Sequence, residues 1–414
     1  MKFEATEAFA LAEDAADPLR AYREEFLFPE NCDGLYFAGN SLGLQPRKAR
    51  AYVEQELEDW ARYGVEGHFT ARKPWLPYHE NLTAHSAGIV GALPSEVVVM
   101  NTLTVNLHLM MVSFYRPTRE RHRIVMEGGA FPSDRYAVAS QARFHGYDPA
   151  EAVVELEPRP GETCLRTEDI LARIDDGVAL VLLGSVNYLT GQAFDLAQIA
   201  AHARARGACV GFDLAHGAGN LAVKLHDWGP DFAVWCGYKY LNGGPGAPAG
   251  CFVHERHARA PELPRFAGWW GHDKASRFKM GPKFAPIEGA EGWQLSNPPI
   301  LSMAALRASL ELFDRATMPA LRAKSERLTG YLEFLLGTNP SITILTPRDP
   351  ADRGCQLSLR VRGDARGLLK DLLALGVHAD FREPDVIRAA PIPLYTRFQD
   401  VFRFARLLAE WLGR

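Results

Sequence analysis

Three polar side chains interrupt two strongly apolar stretches near the middle of this chain. Gly211-Phe212-Asp213-Leu214-Ala215-His216 ends one apolar run on an acid and a histidine, and a second run from Asp231 ends on Tyr238-Lys239-Tyr240-Leu241-Asn242. Both runs have the length and composition of buried strands. In an open α/β sheet, ligands gather at the carboxyl ends of the strands. Asp213, His216 and Lys239 are therefore expected to share a cavity. A lysine can bind an aldehyde cofactor covalently, and a carboxylate can hold a ring nitrogen protonated so that the ring accepts electrons. That pairing matches the needs of pyridoxal 5'-phosphate (PLP), with Lys239 as the aldehyde ligand, Asp213 on the ring nitrogen and His216 stacking on the ring or orienting Asp213. Each residue alone also fits a bland role: a lysine reaching out of a strand end, a helix-capping aspartate, a core histidine.

The elements that must position these residues follow from the pattern along the chain. Between about 75 and 255, helical patterns alternate with short apolar runs at 97–100, 124–126, 178–183, 209–212, 232–236 and 250–253. Such alternation predicts βαβ units around a largely parallel sheet. After Pro298-Pro299 the pattern changes to two long helices, near 300–316 and 319–337. Strands near 342–345, 356–361 and 377–381 follow, with amphipathic helices near 365–374 and 397–412. The expected class is α/β, with a mostly parallel central sheet flanked by helices and a smaller α+β C-terminal domain. Three parts are expected: an N-terminal arm with helices over 1–60, a large domain over 61–300 and a small domain over 301–414. The arm begins with an acidic helix broken near Pro29. It continues through a Gly-rich turn at 36–43 into a helix with Pro46 in its first turn and Gly64 at its end.

A net charge of −4 over 414 residues, with no basic block, argues against nucleic acid or an anionic membrane surface as the main partner. The acidic N-terminus lacks the pattern of a secretion signal, and no apolar run reaches membrane-spanning length. Six cysteines with no Cys-x-x-Cys pair read as reduced core thiols, and no metal site is expected. The expected compartment is the cytoplasm. The Gly243–Gly250 stretch is rich in glycine but lacks the Lys-Ser or Lys-Thr of a phosphate loop. It reads as a turn giving the cofactor room.

Several motifs, in this order, resemble the kynureninase family of PLP enzymes. They are Leu103-Thr-Val-Asn-Leu-His108, Phe131-Pro-Ser-Asp134, Tyr188-Leu-Thr-Gly-Gln192, the two stretches around Asp213 and Lys239, Arg277-Phe-Lys-Met280, Ser296-Asn-Pro-Pro-Ile300 and Arg388-Ala-Ala-Pro-Ile-Pro-Leu-Tyr395. The resemblance spans nearly the whole chain and implies fold type I of PLP enzymes, the aspartate aminotransferase fold. It implies hydrolysis of L-kynurenine or its 3-hydroxy derivative to alanine and an anthranilate, by a homodimer whose active site lies at the subunit interface. It assigns the backbone around Leu103 and the Thr104 hydroxyl to the cofactor phosphate, where a helix N-terminus also suits an anion. Phe131 stacks on the ring in this assignment, and Pro132, Ser133 and Asp134 support the cofactor. Tyr238 places its hydroxyl on the phosphate and is a candidate proton donor. Trp269 and Asn297 reach the cofactor and substrate across the dimer interface.

Arg388 is placed by the resemblance as a bidentate clamp on the substrate α-carboxylate, although the residues alone read as a surface arginine on an edge strand. His68, Ser296 and Asn297 resemble the form of the family acting on 3-hydroxykynurenine, while a loop histidine and a turn before two prolines serve as well. Another fold type I PLP enzyme, such as a cysteine desulfurase, would share Asp213, His216 and Lys239 but needs a mobile catalytic cysteine. A non-catalytic PLP-binding protein would have little use for both Lys239 and Arg388.

Overall fold

The computed structural model describes residues 2–260 and 262–413. Seven strands form the central sheet: β1 (Val97–Met100), β2 (Arg123–Glu127), β3 (Val153–Leu156), β4 (Val178–Gly184), β5 (Cys209–Asp213), β6 (Phe232–Trp235) and β7 (Ala249–Val253). Their order is β1-β7-β6-β5-β4-β2-β3. Only β7 runs against its neighbours.

The apolar runs are continuous because both faces of the sheet are covered. In β1, Val97 and Val99 enter one core and Val98 and Met100 the other, and β6 divides the same way, with Ala233 and Trp235 opposite Phe232 and Val234. One of the seven strands, β3, has no counterpart among the expected runs. It is a half-buried edge strand that pairs with β2 alone.

The C-terminal sheet is antiparallel and has four strands: β8 (Ile342–Ile344), β9 (Leu357–Val361), β10 (Asp380–Arg382) and β11 (Val386–Ala389), in the order β8-β9-β11-β10. The strand expected over 377–381 is two elements. Val377–His378 pairs in parallel with Leu35–Tyr36 of the N-terminal arm, and β10 pairs with β11. Met318–Leu336, Ala365–Ala374 and Phe398–Leu412 close a core over this sheet, and Ala10, Leu35 and Phe37 of the arm share it. Helix Ile300–Ala316 instead sends Met303, Leu306, Leu310 and Phe313 into the core of the central sheet.

The first helix spans Glu7–Ala16 and ends before Pro18, well short of Pro29. A residue preceding proline disfavours helical backbone, and Asp17 is extended at φ −71°, ψ 115°. The glycine-rich stretch after Lys239 is a turn, with Gly244 and Gly246 at φ 83° and 75°. It does not line the cavity described below. Gly243, Gly244 and Pro245 face a separate groove formed with the arm and helix Lys48–Tyr63.

Candidate active site

A cavity with about 580 Å³ of empty space opens at the carboxyl ends of five central strands. Leu103 and Thr104 follow β1, Glu127 ends β2, Gly184 ends β4, Asp213 ends β5, and Tyr238 and Lys239 follow β6. The strand-end expectation for Asp213, His216 and Lys239 is met in space, and Lys239 Nζ lies 3.1 Å from His216 Nε2. Burial, then the neighbouring Lys239 charge, pushes the His216 imidazole well below its ordinary range, so it faces the lysine neutral.

Two helix N-termini meet at this cavity. Helix Leu103–Phe114 begins without a side-chain cap, and helix Pro132–Phe144 begins directly after Phe131. Thr104 and Ser133 stand on their first turns with hydroxyl oxygens 2.8 Å apart. Free N–H groups, aligned dipoles and two hydroxyls suit a phosphate. Phe131 is half-exposed at the cavity wall, edge-on to Tyr188 at 5.5 Å, and its ring centroid is 5.7 Å from Lys239 Nζ.

Carboxyl groups collect at the other end. Asp213 accepts from the Ala215 N–H at 2.6 Å and is hydrogen-bonded to Asp134. Burial raises Asp213 against the pull of that bond, the Ala215 N–H and Lys239. Asp134 is raised well above its ordinary range by burial and by the Asp213 charge, which makes it the member of the pair that more readily keeps a proton, with the hydrogen bond to Asp213 holding Asp213 down. Glu127 accepts from the Gly184 N–H at 2.9 Å, and burial pushes it up to about 7. The sequence carried a signal for Glu127: an acid ending an apolar run, as at Asp213. Asp134 Oδ1 and His216 Nδ1 are buried without partners. Unpartnered buried polar atoms, one ammonium among the lining residues and a hydroxyl-lined double helix start fit the donor and acceptor set of PLP.

Tyr238 lines the same cavity, with its phenol pushed up to about 12 by burial. Arg388 sits on β11, between β9 and β10, and is 1% exposed. The surface-edge reading is therefore wrong, since strands flank Arg388 on both sides. Its Nη1 donates to the Tyr188 carbonyl at 2.7 Å, and Tyr188 lines the cavity.

Trp269, Ser296, Asn297 and His68 are not among the lining residues. Trp269 is 40% exposed and edge-on to Trp270 and Phe278. Ser296 and Asn297 are exposed. His68 Nδ1 lies 3.0 Å from the Val65 carbonyl, and its ring is edge-on to Trp75.

Comparison with solved structures finds the same fold in proteins of low identity. A mutant of C-DES with glycine covalently linked to its PLP cofactor superposes with a TM-score of 0.78 at 19% identity, over 93% of this chain and 98% of that one. The apo cysteine desulfurase of Thermococcus onnurineus NA1 gives 0.74 at 18% identity, over 95% and 98%. By sequence, residues 321–408 match the model of the kynureninase C-terminal domain. The chain is 67% identical over 414 residues to the kynureninase of Myxococcus xanthus (strain DK1622), covering 98% of this chain and 97% of that one. It is 59% identical over 412 residues to the kynureninase of Koribacter versatilis (strain Ellin345), again over 98% and 97%. With identity at that level along almost its full length, this chain belongs to the kynureninase family.

Proposed function

We propose that this chain is a PLP-dependent hydrolase that cleaves the Cβ–Cγ bond of L-kynurenine and L-3-hydroxykynurenine, releasing alanine and the corresponding anthranilate. The observation that carries this reading is the convergence of a lysine, a buried carboxyl pair and two hydroxyl-bearing helix starts on one cavity, in a chain of this family. When bound, PLP supplies an electron sink for the pairs released at the substrate carbons. Lys239 would hold the cofactor aldehyde and, once free of it, is placed to move the proton at the substrate Cα as general base and acid. Asp213, supported by Asp134, keeps the ring nitrogen protonated. The Leu103 and Thr104 N–H groups with the Thr104 and Ser133 hydroxyls would hold the phosphate, Phe131, with Pro132 beside it, would wall the ring, and His216 would face it. Arg388 grips the α-carboxylate. Water adds its oxygen to the γ-carbon, which leaves as the anthranilate carboxyl, and the alanine β-carbon takes up a proton, for which Tyr238 is the relay.

We place the protein in the cytoplasm as a homodimer, with Trp269 and Asn297 serving the partner's cavity. The six cysteines are free, and no helix among the described residues is long and apolar enough to cross a membrane. A desulfurase reading has less support. No cysteine lines the cavity, and burial raises the thiols of Cys32, Cys164 and Cys209.

The preferred substrate in our reading is 3-hydroxykynurenine. An imidazole from His68 and an amide from Asn297, beside Ser296, can exchange hydrogen bonds with the ring hydroxyl, and a site built so disfavours the analogue lacking it. Incubation of purified protein with each substrate, following aromatic amine and alanine, tests both levels. Release of neither product rejects the activity. Equal or better kcat/KM for plain kynurenine rejects the preference, which His68→Trp with Asn297→Thr is expected to erode while PLP stays bound.

A further inference from the structure

The guanidinium assigned above to the substrate carboxylate already holds a carboxylate. Asp380 and Arg388 are direct cross-strand partners on β10 and β11, and Asp380 Oδ2 accepts from Arg388 Nη2. The same oxygen accepts from Arg382 Nη2 at 3.0 Å and from the Ser41 hydroxyl, which itself accepts from Arg388 Nη2 at 3.0 Å. Arg388 Nη1 is committed to the Tyr188 carbonyl, whereas Nε is buried with no partner. Nε and Nη2 form one edge of the guanidinium fork, the edge a carboxylate can grip with two parallel bonds. In this structure that edge is half used: one donor is idle and the other is on Asp380. An enclosed, idle donor on a cation is costly unless a ligand completes it.

We infer that Asp380 is a resident counter-ion which the α-carboxylate of the substrate replaces on Arg388, with Asp380 passing to Arg382. This rests on the reading of Arg388 as the carboxylate clamp. Two guanidinium groups and one carboxylate leave a single positive charge, matched to one incoming carboxylate. Both guanidinium carbons lie 5.9 Å from the centre of the Tyr188 ring, so the exchange takes place at the cavity wall. Asp380 is thus a positioning residue that sets specificity. It keeps the buried Arg388 paired when no substrate is present, and a ligand without a carboxylate has nothing with which to displace it.

The test uses PLP-loaded enzyme and reads binding of L-alanine, the product that carries the α-carboxylate, by the change in cofactor absorbance. Asp380→Asn removes the competing charge while keeping the shape and an oxygen acceptor. It is expected to tighten alanine binding and lower KM for kynurenine by about tenfold, since a like charge beside the incoming carboxylate no longer opposes it. Binding of the decarboxylated amine analogue of kynurenine should not change. Ser41→Ala, which loosens the resident pair without altering charge, should shift alanine binding the same way by less, and it serves if the first variant does not fold. Unchanged or weaker alanine binding in these variants, with weaker binding in Arg388→Lys, overturns the exchange but leaves the clamp standing. Unchanged alanine binding in Arg388→Lys overturns the clamp itself.

Discussion

Lys239 supplies the only ammonium among the residues lining the cavity, and His216, held neutral beside it, cannot replace its charge. Borohydride should therefore fix PLP to the wild-type chain but not to Lys239→Ala, which should also lose turnover; a reducible link surviving in the variant rejects the assignment. Glu127 carries a second prediction at this scale. Its pKa in the folded chain, about 7, lies above that of an ordinary carboxyl, so the folded state holds a proton that the unfolded state releases. The resulting stability is fully present below the ordinary carboxylate range and is lost as pH rises through about 7. At 1.36 kcal/mol per unit, that loss is roughly 3 kcal/mol. Glu127→Gln, permanently neutral, should show a smaller fall in apo-protein Tm between pH 5 and pH 8, and an equal fall would mean that Glu127 is already ionised at pH 5. Asp213 and Lys239 were legible in the sequence because a polar group ending a buried run stands out. Glu127 obeys the same rule, one residue beyond the apolar run at 124–126. Asp380 and Ser41 gave no local signal, because only the fold brings residues 339 positions apart onto one guanidinium.

Among the elements, the two helix starts bear most directly on cofactor retention. Thr104 and Ser133 present their hydroxyls together because β1 and β2 end on the same side of the sheet and each is followed by a helix. A hydrogen bond to a charged group contributes about 1.5–3 kcal/mol, so Thr104→Val should weaken PLP binding by roughly ten- to a hundredfold. Equilibrium dialysis of PLP against apo-protein measures this directly, and an unchanged affinity would remove Thr104 from the phosphate. Strand legibility followed burial. Runs covered on both faces, such as β4 and β5, declared themselves by composition. Edge strand β3, with Glu155 paired to Arg135 on its outer side, did not. Arg388 was misread for a related reason. A single cation in a short apolar strand near a proline suggests an edge, but β9 and β10 cover its strand on both sides, and strand order within a sheet is a long-range property that no local window contains.

At the scale of the whole molecule, the described chain leaves large apolar side chains in water. Trp60, Val65, Phe69, Phe266, Trp269, Phe278 and Met280 are 40–73% exposed. In the proposed homodimer a partner subunit would cover such side chains. Trp269 is one of them and His68 precedes another, Phe69, and the resemblance assigns both Trp269 and His68 to an active site although neither lines the cavity of its own chain. A two-fold dimer that buries this surface would carry such residues to the partner's cavity, because in an isologous contact each subunit gives what it receives. Sedimentation equilibrium should accordingly show a dimer. The decisive measurement is complementation between two variants that are inactive alone, Lys239→Ala and the double variant Trp269→Ala with Asn297→Ala. A heterodimer of the two has one cavity with every native residue and one lacking both contributions. Random reassortment of an equal mixture makes half the dimers mixed, so about a quarter of all cavities should be native and activity should return to about that level. If Trp269 and Asn297 act on their own chain, no cavity in any dimer is complete, and the mixture stays as inactive as its parts.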